Sequence, residues 1–146
     1  MKKIYLLLVI VVSSLAGYSQ TLDDIGDMMT KKDFTAAKAA IDKYLADEKN
    51  ASKPEAWYYK GRVYNSYSYE KSTPESELYN LKAAAFEAFK KNQVMDSKDV
   101  RMKIENYGSY LDLYYGFYDL GANLFNNKKY SEAFDAFKKS LEVGDY

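Results

Sequence analysis

The chain writes one seven-residue phrase twice. Residues 85–91 read Ala-Phe-Glu-Ala-Phe-Lys-Lys, and residues 133–139 read Ala-Phe-Asp-Ala-Phe-Lys-Lys. A looser relative, Ala37-Lys38-Ala39-Ala40-Ile41-Asp42-Lys43, stands earlier. Ahead of the two strict copies lie two further related stretches, Trp57-Tyr58-Tyr59-Lys60-Gly61-Arg62-Val63-Tyr64 and Phe117-Tyr118-Asp119-Leu120-Gly121-Ala122-Asn123-Leu124. Each puts a large aromatic four residues before a Gly and an apolar residue three after it. Self-similarity of this kind restricts the fold to a series of like units, none able to bury its own apolar face, so that neighbours must stack. The Gly and the small Ala mark where two helices touch, because a larger side chain would push the backbones apart. The aromatics fill the space between successive units.

The units read as helices. Gly and Pro number only 7 and 2, and no segment alternates with a period of two. Phe34, Ala37, Ile41, Tyr44 and Leu45 make one face of a helix over 34–48, with Asp33 as its N-cap. Ser52 to Glu55 has the form of a capping box opening a helix that runs to about Ser68. Thr73 and Pro74 signal another start, and that helix reaches about Met95. A long helix is expected from about Ser109 to Asn126, then a polar turn at Asn127, Lys128 and Lys129. A last helix follows, from about Tyr130 to Val143, apolar at Tyr130, Ala133, Phe134, Phe137 and Leu141. The fold class is all-α, built of antiparallel helix pairs.

The pattern resembles the tetratricopeptide repeat, whose consensus is W-x2-L-G-x2-Y, then A-x3-F, then P. Trp57, Gly61, Tyr64, Ala85 and Phe89 match it, with Lys60 in the Leu slot and Ser97 in the Pro slot. In the last repeat Leu120, Gly121, Ala133 and Phe137 match, with Phe117, Leu124 and Asp145 in the Trp, Tyr and Pro slots. The resemblance implies a short right-handed solenoid of about three repeats over residues 20–146. The middle repeat carries an insertion near 67–78, which lengthens its helices or enlarges their loop. Residues 100–113 are an extra segment. The first repeat is weak, with Ile25 in the Gly slot. The chain stops at Tyr146 without a clear polar capping helix. A longer protein, a partner or a second copy is therefore expected to cover the last face.

The resemblance also implies a concave surface that takes a protein or peptide. Its residues here would be Glu55, Tyr58, Arg62, Asn65 and Ser66, and later Tyr115, Tyr118, Ala122, Phe125 and Asn126. Tyr58, Tyr115 and Tyr118 would form an aromatic wall and Arg62 a charged anchor. The alternative is that these Tyr rings bury their bodies between helices and wet only their hydroxyls. Tyr58 and Arg62, then Tyr118 and Ala122, stand where one subclass carries a Lys and Asn clamp for a C-terminal carboxylate, so that specificity is not expected. A second aromatic cluster, Tyr64, Tyr67, Tyr69 and Tyr79, reads as a small core of an elongated hairpin or as a stacking surface for sugar or peptide. Lys82, Lys90, Lys91, Lys98, Arg101 and Lys103, interleaved with acidic residues, read as a solvated helix face.

Residues 1–19 have the layout of a secretory signal peptide: Lys2 and Lys3, an apolar run from Ile4 to Val12, then small residues up to Ser19. The run falls short of the roughly 18 residues that a spanning helix needs. An exported protein, periplasmic or extracellular and bacterial in character, is expected, with no stable membrane insertion after cleavage. Asn50-Ala51-Ser52 fits the N-glycosylation pattern by its spacing alone. The whole chain balances 21 basic against 21 acidic residues, which leaves no electrostatic excess to hold nucleic acid. Without any Cys or His, thiol or Ser-His nucleophiles and thiolate or imidazole metal sites are excluded. No carboxylate pair and no Gly-rich phosphate loop stands out. No catalytic, cofactor or metal residue is assigned, and a non-enzymatic binding scaffold is expected, with a structural or self-assembling repeat module as the alternative.

Overall fold

A computed structural model describes residues 20–146; the signal-peptide assignment at 1–19 lies outside the described residues. Among those described, the chain forms eight helices and no strand: α1 (Leu22–Thr30), α2 (Phe34–Leu45), α3 (Glu48–Ala51), α4 (Pro54–Tyr67), α5 (Glu75–Met95), α6 (Val100–Ile104), α7 (Gly108–Asn126) and α8 (Tyr130–Gly144). The all-α expectation holds.

Local chemistry sets the boundaries. Thr21 and Asp24 close a reciprocal capping box on α1, and the Asp33 side chain accepts from the Ala36 N–H to open α2. Two expected caps take other roles. Ser52 does not open α4, because its hydroxyl donates to the Lys49 carbonyl at 2.7 Å and its own N–H closes α3. Lys53 is the N-cap, and Pro54 fills the first turn, where its missing N–H costs nothing. Thr73 donates instead to the Tyr67 carbonyl at 2.9 Å, bracing the loop, and Pro74 caps α5. The insertion goes mainly into α5, which is 21 residues long against 14 for α4. The extra segment after it becomes α6 and the first turns of α7, with Asp99, Asn106 and Tyr107 left-handed at its corners.

The helices pair as α1 with α2, α4 with α5 and α7 with α8. Successive pairs join through α2 and α1 against α4, and through α5 against α7. The joints repeat in detail. The α1–α2 and α7–α8 turns both place a Lys in the left-handed region, Lys32 at φ 60° and Lys128 at φ 62°. In both, the following N–H returns to a carbonyl five residues back, Asp33 to Met28 and Lys129 to Leu124, each at 2.9 Å, as in the Schellman helix stop. Asn92, seven residues after Ala85, donates to the Pro54 carbonyl at 2.9 Å. Ser140, seven after Ala133, donates to the Tyr114 carbonyl at 2.8 Å. Pro54 and Tyr114 each lie seven residues before their Gly, so both hydrogen bonds tie equivalent positions.

Three apolar clusters follow the chain. The first gathers Ile25, Ala37, Ala40, Ile41 and Val63. The second is the largest, with Tyr58, Phe86, Phe89, Met102, Leu113 and Phe117 among its members. The third holds Leu120, Leu124, Ala133 and Ala136. Helix α4 feeds two of them, Val63 to one side and Tyr58 to the other.

Candidate functional site

The expected surface residues divide into two groups. In the second pair most of them are covered, Tyr58 and Glu55 by the extra segment and Asn65 by α5. Tyr58 is 5% exposed, and its hydroxyl donates to Glu105 Oε2 at 2.8 Å. Burial first, then the Glu105 carboxylate, pushes that phenol up to about 12. Glu55 forms an ion pair with Arg101 of α6. Asn65 is buried beside Lys82. The aromatic wall expected from Tyr58, Tyr115 and Tyr118 beside the Arg62 anchor therefore lacks Tyr58, which is buried. Tyr58 and Asn65 serve packing here. Arg62 stays exposed and, with Ser66, lines a polar cavity of about 580 Å³ whose opposite wall is Asp23, Gly26 and Asp27 of α1.

The third pair is open. Tyr115, Tyr118 and Phe125 are 55%, 51% and 56% exposed, and Asn126 lies beside them at the end of α7. Leu111, Tyr115, Tyr118, the half-buried Ala122 and Phe125 form a stripe with steps of four, three, four and three, the spacing of a coiled-coil seam. The stripe runs on into α8. Tyr118 meets Phe137 edge-on at 5.5 Å between ring centroids, and Phe125 meets Tyr130 at 5.3 Å. Phe134 and Leu141 on α8 are both 66% exposed. A contiguous apolar face thus spans the α7–α8 seam. Isolated exposed apolar residues are ordinary on a protein surface; here they adjoin one another.

The residues matched to the repeat pattern sit at the helix contacts. Gly61 lies under the Phe89 ring and Gly121 under Phe137. Ala85, Ala133 and Leu120 are buried. Trp57 is half-buried: its indole N–H donates to the Ala51 carbonyl at 2.8 Å, and Lys91 Nζ stands 3.7 Å over its ring. The Tyr64 hydroxyl donates to Asp42 Oδ1 at 2.6 Å, and burial and that carboxylate raise its pKa.

One feature departs from the expected solvated basic face. Lys82 is 3% exposed. Its ammonium donates to Ser68 Oγ at 2.9 Å and lies 3.7 Å over the Tyr69 ring, close against Gly116. Burial lowers it to about 8, against the fields of Asp112 and Asp119. The helical spacing carried the signal, since 82 lies three and four residues before the buried Ala85 and Phe86. Tyr69 and Tyr79 of the second aromatic cluster pack rather than gather as a stacking surface: Tyr69 covers Lys82, and Tyr79 meets Phe117 at 5.6 Å.

Among the described residues, no three acidic side chains gather as a metal site, and no helix is long and apolar enough to cross a membrane. No protein-family model, curated protein or solved structure matches this chain.

Proposed function

We propose that this chain is a non-enzymatic protein-binding scaffold, a short right-handed stack of three tetratricopeptide-like helix pairs exported by way of residues 1–19. The observation that carries the binding role is the open apolar face of α7 and α8, centred on Tyr115, Tyr118 and Phe125. Two Gly–Phe contacts at equivalent positions, paired carbonyl ties and matched Lys turns support the repeat architecture. The mechanism is surface, not chemistry. Helices already fixed by packing present their side chains at little ordering cost, and Tyr and Phe supply contact area with few rotatable bonds.

The test is capture from a cell-envelope extract on immobilised residues 20–146, with bait carrying Tyr118→Ala and Tyr115→Ala as the control. Proteins held by the parent and lost from the control support the scaffold reading. Identical capture on both baits counts against it. Bait carrying Arg62→Ala reports separately on the polar cavity.

A further inference from the structure

We infer that the α7–α8 face is a homodimer interface, in which α7 of one copy lies antiparallel against α7 of a second across a twofold axis through Tyr118. This rests on the reading of that face as a protein-binding surface and names its occupant.

An internal comparison shows that the face is built to be covered. Tyr58 and Tyr118 stand three residues before their Gly, and Phe86 and Phe134 one residue after their Ala. Tyr58 and Phe86 are 5% and 1% exposed, whereas Tyr118 and Phe134 are 51% and 66% exposed. In the second pair the cover is apolar helix: Met102 of α6 and Tyr110 of α7, with the Phe86 and Tyr110 rings 6.1 Å apart. The equivalent surface of the third pair keeps the same chemistry and, among the described residues, has no such cover.

The opposite end of the stack differs. The described part of α1 and α2 leaves no large apolar side chain exposed. A head-to-tail contact would need an apolar face at both ends. With one such face among the described ends of the stack, association of like chains through the ends is face to face, which closes as a twofold dimer.

The stripe complements itself. Centring an antiparallel pair on Tyr118 sets Leu111 opposite Phe125 of the other copy, and Tyr115 opposite the small Ala122. Tyr118 then meets Tyr118 on the axis. Large side chains face small ones along the seam, as knobs need holes. The same arrangement brings the Lys128 turn of one copy toward the end carrying Asp112 and Asp145 in the other, which complements charge. Leu111, Tyr115, Tyr118 and Phe125, with Tyr130, Phe134 and Leu141 of α8, each leave half to two-thirds of the residue open. At ~150–250 Å² for a whole aromatic side chain, the face offers on the order of 800 Å² per copy, the share each partner gives to a standard interface.

The experiment is light-scattering mass measurement over a concentration series on residues 20–146. The variants are Leu111→Glu, Phe125→Lys and the double. Both positions are more than half exposed, so at concentrations low enough for the parent to be monomeric, thermal melts by circular dichroism should stay close to the parent. The parent is expected as a dimer. Each single variant is expected to weaken dimerisation at least ~100-fold, because a twofold contact suffers each change twice. The double is expected to restore the dimer, by pairing the introduced carboxylate at position 111 with the introduced ammonium at position 125 of the other copy. A monomeric parent at ~100 µM, a dimer indifferent to both singles, or a double that fails to recover each overturns the proposal. A monomeric parent whose capture of another protein depends on Tyr118 overturns the dimer and leaves the scaffold reading standing. A monomeric parent without that dependence overturns both.

Discussion

Gly61 and Phe89 touch so closely that no side chain fits between them: a Cβ on Gly61 would have three ring atoms of Phe89 within 2.6 Å. Gly121 and Phe137 repeat the contact one pair later, with the nearest ring atoms at 2.8 Å. The first pair solves the same problem with other volumes. Ile25 stands in the Gly slot and Ile41 in the Phe slot, and both are fully buried in one cluster. A small residue facing a large one has been exchanged for two of middle size, which conserves volume at the contact.

The contact predicts an order of stabilities. Phe89 is fully buried and has nowhere to move, so Gly61→Ala should cost about 1–3 kcal/mol by overpacking. Phe137 is only partly buried and its ring has more room to shift than that of Phe89, so Gly121→Ala should cost less. Nothing lies within 4 Å of a Cβ on Gly108, and Gly108→Ala should gain about 0.5–1 kcal/mol from helix propensity and a less free unfolded chain. Urea midpoints of the three variants check the order.

The sequence made the helix pairs legible because the Gly, Ala and Phe contacts between helices require particular residue sizes at particular spacings. The ends of α7 and α8 were legible for the same reason. The caps at Ser52 and Thr73 were not, because each hydroxyl had a nearer carbonyl to bond. The expected groove failed in the second pair because α6 lies over it, and nothing in the local pattern around Val100 says where that short helix will dock. Lys32 and Lys128, each seven residues after the residue in the Gly slot, were a repeat signature too, visible once both are seen in the left-handed region.

Lys82 predicts a pH dependence. The folded chain releases its proton near 8, the unfolded chain near 10.5. Between those values the unfolded chain holds more protons, so stability rises with pH and is lost again as pH falls through 8. Tyr58 and Tyr69, raised to about 12 by burial, act in the opposite direction only above the ordinary tyrosine value of 10. The gain should therefore appear between pH 7 and 9.5, at about 2 kcal/mol. Lys82→Met should abolish it at small cost to its partners, since Ser68 Oγ keeps its 2.6 Å bond to the Asn65 carbonyl and Asn65 Oδ1 loses only a long 3.5 Å contact. Denaturation curves at pH 7, 8.5 and 9.5 for both chains make the comparison.

Tyr58 is predicted to matter for stability and not for binding. Tyr58→Phe removes the hydroxyl that donates to Glu105 and ties α4 to the end of α6. A hydrogen bond to a charged group is worth about 1.5–3 kcal/mol, and Glu105 still accepts from the Ser109 N–H at 3.2 Å, which sets the expected loss at about 1–2 kcal/mol. Capture of partners by the α7–α8 face should be unchanged in that variant. Reduced capture at full stability would return Tyr58 to the binding surface.

Phe86 and Phe134 give the sharpest comparison. They occupy the same place in the repeated phrase, so the repeat pattern by itself gives them the same weight. Phe86 is 1% exposed and its ring meets both Tyr110 and Tyr146, at 6.1 and 5.5 Å. Phe86→Ala should open a cavity in the largest cluster and cost about 3–5 kcal/mol. Phe134 is 66% exposed, and Phe134→Ala should change the stability of a monomer by less than about 0.5 kcal/mol. Its effect belongs to association. In a dimer the same substitution should lower the melting temperature only at concentrations where the parent is dimeric, because binding of a second copy stabilises the folded state by mass action. Melting temperatures of both variants and the parent, measured at two concentrations a hundredfold apart, separate the two roles. An equal loss for both variants at the lower concentration would mean that Phe134 is already covered within one chain, and that the third pair is closed like the second.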